Sequence, residues 1–245
     1  MSIIEKANLP RRKVSAAVIG KCGNVLESFI SSFGIELLFA EKNTKVDPAI
    51  GNHADVNVLY LGGGTVVLDG SQRSLAERLR LRGFKTVFVS DPVCGLYPGD
   101  CRLNFALIAQ RAFGKFAVAD KSVQMLENVE KINVRQGYAK CSVCVVNENA
   151  IITDDVSIYK AARHENMHVL LCQKGSVMLS GHDYGFIGGA CALTEERHLL
   201  FFGDITRHEN FCQISDFLRE EDCRFSFLKD YPLTDIGGIV AVEET

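Results

Sequence analysis

An α/β fold, built as a closed ring of five ββαβ units whose first and last segments share one unit, is what the sequence predicts. Three observations carry this. One order of apolar runs and helical patterns recurs along the 245 residues. Equivalent strand starts fall near residues 55, 103, 142, 188 and 237, a spacing of roughly 40–50 typical of repeat architectures. The two ends are incomplete in complementary ways.

The chain opens with a strand pattern, KVSAAVIG, a helical pattern, CGNVLESFISSFG, and a second strand pattern, IELLFAE. The first full unit follows. An apolar run from Val56 to Leu61, a turn at Gly62–Gly64 and a run from Thr65 to Leu68 read as a hairpin. SQRSLAERLRLRG places Leu75, Leu79 and Leu81 on or near one helical face, and KTVFVS closes the unit as a strand. The second unit pairs the two runs of NFALIAQRAFGKFAVAD with a helix in KSVQMLENV, Ser122 in its cap region, and a strand in EKINV. The third has a hairpin turning at Asn147–Asn149, the helix VSIYKAARHEN and the strand HVLLCQ. The fourth has the hairpin GGACALTEERHLLFFGD, the helix HENFCQISDFLREED and the strand CRFSFLK. Only one strand, DIGGIVAV, remains at the C-terminus. Joined to the N-terminal segment it completes a fifth unit. Such an interlock closes a ring with backbone hydrogen bonds and removes its exposed edges. The regularity predicts a single domain over residues 1–245.

Composition narrows the function. Hydrophobic residues make up 47% and charged residues 23%, ordinary for a globular protein able to bury a core without staples. The net charge of −3 and the lack of a basic block beyond Arg11–Lys13 argue against nucleic acid. A basic membrane-surface helix, an apolar span and a signal peptide are also missing from the pattern. Nine cysteines, an odd number scattered through apolar runs, suit buried thiols in a reducing cytoplasm.

In a ring, the starts of the first strands converge on one axial pocket, so polar residues there meet although distant in sequence. The first unit offers His53 and Asp55, expected on one face of a strand. They read as an acid/base pair or as a solvated strand end. The second offers Asp100 after a Tyr97–Pro98–Gly99 turn, a turn cap or a ligand group, and Asn104 at the strand start. The third offers Cys141, a nucleophile or a buried structural thiol, with Lys140 beside it but expected on the opposite face. Cys141 and Cys144 spell C-x-x-C without a second pair, so neither a metal nor a redox site is expected. The fourth offers His182, Asp183 and Tyr184 before Gly185, Gly188 and Gly189, which lack the lysine of a phosphate loop. The fifth offers Asp235, which reads as a turn residue leading into the closing strand.

This pattern resembles the pentein superfamily, guanidino-group-modifying enzymes built on a five-bladed β/α-propeller. HAD at His53–Asp55 is similar to that family's H-x-D, YPGD ending at Asp100 to the turn presenting a substrate-binding Asp, and GYAKC to the entry to its nucleophile. YPGDCRLNFALIA, RQGYAKCSVCVV, YGFIGGACAL and DIGG further resemble an uncharacterised bacterial family with that fold. The family's nucleophile lies in the last repeat, and its acidic Glu-Gly-Gly-Asp-type motif corresponds here to FIGGA. Cys141 therefore stands for a permuted or relocated nucleophile. The resemblance implies a hydrolase or amidinotransferase for a guanidino or amidine small molecule, with Cys141 and His53 catalytic. Asp55, Asp100, Asn104, Lys140, Asp183 and Tyr184 are then the expected substrate-binding residues, and no metal or organic cofactor is required. The alternative is a non-catalytic protein holding a small cationic ligand on the same scaffold. An exposed face of the ring would suit a homodimer.

Overall fold

A computed structural model describes residues 1–245 and arranges them as five small sheets. The chain begins with β1 (Ser2–Ile3), β2 (Val14–Ile19), α1 (Asn24–Ser31) and β3 (Glu36–Phe39). The next blade contains α2 (Ala54–Asn57), β4 (Val58–Gly62), β5 (Thr65–Leu68), α3 (Arg73–Leu81) and β6 (Lys85–Phe88). Then come β7 (Ala106–Ile108), β8 (Arg111–Gly114), α4 (Lys121–Gln124) and β9 (Glu130–Asn133). The following blade has β10 (Val143–Val145), β11 (Ala150–Thr153), α5 (Val156–His164) and β12 (His168–Leu171). The last full one has β13 (Cys191–Glu195), β14 (His198–Phe201), α6 (Phe211–Glu220) and β15 (Arg224–Phe227), and the chain ends in β16 (Val240–Glu244).

Every blade repeats one pairing. The first strand runs antiparallel to the second, as Cys144 opposite Ile152 shows, and the second runs parallel to the third, as Ile151 opposite Val169 shows. A parallel pair needs a crossover, which the helix supplies. The helices are amphipathic at i, i+3/i+4 spacing: Leu26 and Ile30 of α1, Leu75 and Leu79 of α3, Ile158 and Ala162 of α5, Ile214 and Leu218 of α6 are buried. The first strands β7 and β10 are buried along their whole length, as expected of strands at the hub.

The ends interlock as predicted. β16 lies between β1 and β2, antiparallel to both, with Ser2 opposite Glu244 and Val240 opposite Val18. The Glu244 carboxylate accepts from the backbone N–H groups of Arg11 (2.8 Å) and Arg12 (2.9 Å), tying the N-terminal segment to the last strand. No helix is long and apolar enough to cross a membrane.

Local details differ from expectation. Leu81 is 89% exposed, because it lies past the buried face set by Leu75 and Leu79. α4 is a single short turn capped by Asp120, whose Oδ1 accepts from the Ser122 N–H, so Ser122 is the capped residue. The first strands begin at residues 58, 106, 143, 191 and 240, one to three positions later than the repeat suggested. The residues expected at strand starts occupy tight turns just before them.

Candidate active site

Five short entry turns aim side chains at the hub. His53 holds the N-cap position of α2 in extended conformation (φ −63°, ψ 125°), and Asp55 sits inside that helix. The expected strand is therefore replaced by a helical turn, and His53 and Asp55 do not share a strand face. Both are nonetheless buried. Asp100 lies in a 3₁₀ turn (Gly99–Cys101), Cys141 in the turn before β10, and Asp235 in the turn before β16. Ile187–Ala190 forms the matching 3₁₀ turn before β13.

These turns bring the nitrogen of His53, the carboxylate of Asp55 and the sulfur of Cys141 within 4.8 Å of one another. The Cys141 thiol donates to Asp55 Oδ2 at 2.8 Å. Asn104 holds the cysteine from behind: its Oδ1 accepts from the N–H groups of Lys140 (2.8 Å) and Cys141 (3.2 Å), while its Nδ2 donates to Sγ at 3.3 Å. His53 Nδ1 lies 3.8 Å from Asp235 Oδ1. Asp235 accepts from the N–H groups of Phe186 and Gly237, both at 2.9 Å. Two glycines are needed here. A Cβ on Gly189 would stand 1.9 Å from Asp235 Oδ1, and one on Gly237 (φ +74°) would stand 2.4 Å from His53 Cβ. Asp100 accepts from Tyr138 Oη (2.5 Å) and Cys101 Sγ (3.3 Å).

Above this cluster opens a cavity of about 520 Å³, reached by Cys141, His53, Asp100, Asp235, Asp183 and Tyr184. Asp55 lies beneath it against the sulfur. Asn104, Lys140 and Asp55, all expected to contact substrate, are not among the residues lining it. Asn104 orients the cysteine. Lys140 shares a separate small recess with Asp55.

Electrostatics set the resting protonation. Burial, followed by the nearby Asp55 and Asp235 charges, pushes the Cys141 thiol well above its usual range. Burial lifts the Asp55 carboxyl to about 6, with His53 and then Lys140 pulling against it. Burial also lifts Asp154, whose Oδ2 accepts from the Ile187 N–H, to about 7. The resting cysteine is thus a neutral thiol donating to a carboxylate. His53 Nδ1 and Asp55 Oδ1 are buried without hydrogen-bond partners, leaving capacity for a bound group. The same three side chains form a nitrogen–oxygen–sulfur donor set whose atoms lie close enough together to hold a cation, for which the thiol would have to lose its proton first.

Sequence reasoning missed Asp235, Tyr138 and Phe186. Asp235 occupies the same entry position as Cys141 and Asp100, and that equivalence is the signal that could have found it. Tyr138 and Phe186 carry no motif and are recruited through Asp100 and Asp235.

Residues 17–240 match the sequence model of a family of unknown function (DUF6873). No curated protein matches the chain. Among solved structures it is similar to an amidinotransferase from Microseira wollei in the saxitoxin biosynthetic pathway, at 8% identity and TM-score 0.62, over 99% of this chain and 97% of that one. It is similar to an inosamine-phosphate amidinotransferase from Streptomyces griseus at 7% identity and TM-score 0.62, over 100% and 98%. It also resembles a C. jejuni agmatine deiminase at 8% identity and TM-score 0.55, over 93% and 90%. At these identities the likeness is one of fold, the five-bladed β/α-propeller of the pentein superfamily.

Proposed function

Because the chain belongs to that family of unknown function and is built on the pentein fold, we propose that it is an enzyme that modifies a guanidino or amidine group through Cys141. The observation that carries this reading is the convergence of a thiol, an imidazole and a carboxylate within 4.8 Å at the floor of an acidic cavity. The activities of the similar structures, amidinotransferases and a deiminase, support it.

The chemistry follows from the resting state. A guanidinium entering above Asp55 and Asp235 brings positive charge beside the sulfur, which favours the thiolate. The thiol proton passes to Asp55 Oδ2, to which it is already bonded. The thiolate attacks the trigonal carbon, and its electron pair forms the C–S bond of a tetrahedral adduct. His53 protonates the leaving nitrogen, and the C–N bond breaks to leave a thiouronium on Cys141. In a hydrolase, water then attacks with His53 as base and the thiolate departs, giving a ureido product. In an amidinotransferase, an amine takes the place of water.

A panel of guanidino compounds assayed for ureido product or amine release tests this. Turnover by the native protein and its loss, by about a thousandfold or more, in Cys141→Ala are expected. No turnover across the panel, with Cys141 inert to alkylating reagents, would contradict it. One observation favours a second reading, a binding protein without catalysis: Cys141 is 2% exposed and its thiol rests protonated. That reading requires a ligand that raises the unfolding temperature, is never consumed, and binds Cys141→Ser as well as the native chain.

A further inference from the structure

We propose that Asp154 is a positioning residue of the hub: it holds a proton that leaves Asp235 as the charged carboxylate of the turn they share, and giving up that proton displaces Asp235 and lowers the reactivity of Cys141. The effect on Cys141 rests on the nucleophile proposed above, whereas the effect on Asp235 stands without it.

Comparison between blades singles Asp154 out. An aspartate follows the second strand in three of them, and in two it both caps the helical turn ahead and holds the chain entering the next blade. Asp69, after β5, accepts from the Ser71 and Val93 N–H groups, both at 2.9 Å. Asp204, after β14, accepts from Thr206 N–H (3.1 Å) and Asp230 N–H (3.2 Å). After β11 the two tasks are divided. Asp155 takes the cap through Ser157 and Ile158, and Asp154 Oδ2 holds the incoming chain at Ile187 N–H, 3.0 Å away. Asp154 Oδ1 is thereby left buried without a partner. A buried carboxyl with one free oxygen avoids an uncompensated charge by taking a proton.

Asp154 and Asp235 meet on one turn. Ile187 N–H goes to Asp154, and the N–H before it, that of Phe186, goes to Asp235 Oδ2. Asp235 has an N–H on each oxygen, from Phe186 and Gly237, the arrangement that suits a charged carboxylate. Two acids on adjacent amides then divide proton and charge between them. The groups facing Asp154 are Asp155 beside it, Asp235 across the turn, the Cys172 thiol and the Lys174 ammonium, which lies 5.4 Å from the Tyr184 ring centre and 5.5 Å from that of Phe186. Burial outweighs the Ile187 N–H and Lys174 and lifts the Asp154 carboxyl to about 7. Above that value the turn carries a second negative charge. Its Gly189 N–H donates to the Cys141 carbonyl at 2.8 Å, so the added charge stands one hydrogen bond from the cysteine and disfavours its thiolate.

The test follows the Ile187 and Gly237 amide resonances by NMR through a pH titration of the native protein and of Asp154→Asn, which keeps an acceptor for Ile187 but is neutral throughout. In the native protein both amides are expected to shift together with a midpoint of about 7, and in Asp154→Asn neither does. Alkylation of Cys141 by chloroacetamide, a neutral reagent, is expected to gain about threefold in Asp154→Asn over the native protein as pH rises from about 6 to about 8.5. An Ile187 amide that stays still from about pH 5 to about pH 9, or that titrates alike in both proteins, overturns the proposal. So does a Gly237 amide that ignores the titration of Ile187, because the proton then acts on its own residue alone. An alkylation ratio that stays flat with pH overturns the reach to Cys141. Titrating amides beside a Cys141 inert in both proteins would uphold the role of Asp154 at Asp235 and defeat the nucleophile.

Discussion

Burial pushes the Asp55 carboxyl up to about 6, against a usual value of 3.8, while His53 and Lys140 hold it down. A carboxyl raised on folding stabilises the native state below its folded value and loses that contribution as pH rises through about 6. Asp55→Asn removes this dependence. Its stability relative to the native protein is therefore expected to rise by on the order of 1 kcal/mol between pH 5 and pH 8, read from paired urea titrations. A difference that stays flat with pH would show that Asp55 is not buried beside the thiol. Lys140→Met is expected to lift the Asp55 carboxyl further and move the same pH dependence upward. His53, Asp100 and Cys141 could be singled out in the sequence because histidine, aspartate and cysteine can carry chemistry, and the fold gathers them at one cavity. Asp235 was not, because an Asp before two glycines is the ordinary signature of a turn. Only the fold reveals that Gly185 and Gly189 make room for its carboxylate.

The helices and the strand hairpins were legible because their apolar periodicity is set by what each face buries. The entry turns were not. His53–Asp55 alternates as a strand would, yet four residues, Ala54–Asn57, close a helical turn and Asn57 Nδ2 donates back to the His53 carbonyl at 2.9 Å. A turn this short carries no periodic signal, so repeat spacing alone places it on the wrong element. At this scale Asp155 is the sharpest test. It caps α5 by accepting from Ser157 N–H (2.8 Å) and Ile158 N–H (3.0 Å). Asp155→Ala is expected to cost about 1–2 kcal/mol and lower the unfolding temperature without changing ligand binding. Gly189→Ala should act the other way. Its Cβ would displace Asp235, the carboxylate 3.8 Å from His53 Nδ1, so ligand binding should suffer more than a surface Gly→Ala allows.

Closure of the ring was legible from the two incomplete ends, and β16 between β1 and β2 is its physical form. The same strand carries Glu243, which pairs with Arg82 at 2.6 Å, linking the closing blade to the residue just after α3 in the next. Removing residues 239–245 should therefore do more than fray an end. β1 and β2 lose their common neighbour, and Gly237, which seats His53, loses its anchor. The truncated chain is expected to unfold without a cooperative transition, checked by circular dichroism during heating. A sharp transition near the native midpoint would show that the blades stand independently.

If Cys141 acts as proposed, it is a nucleophile directed at planar amidine-like cations. Alkylation by chloroacetamidine, compared with neutral chloroacetamide and read by peptide mass spectrometry, tests it directly, with exposed Cys212 as the internal reference. Cys141 is expected to prefer the cationic reagent by at least about tenfold more than Cys212 does, and Asp55→Asn to erase this preference. An unmodified Cys141, or one whose preference equals that of Cys212, would contradict it.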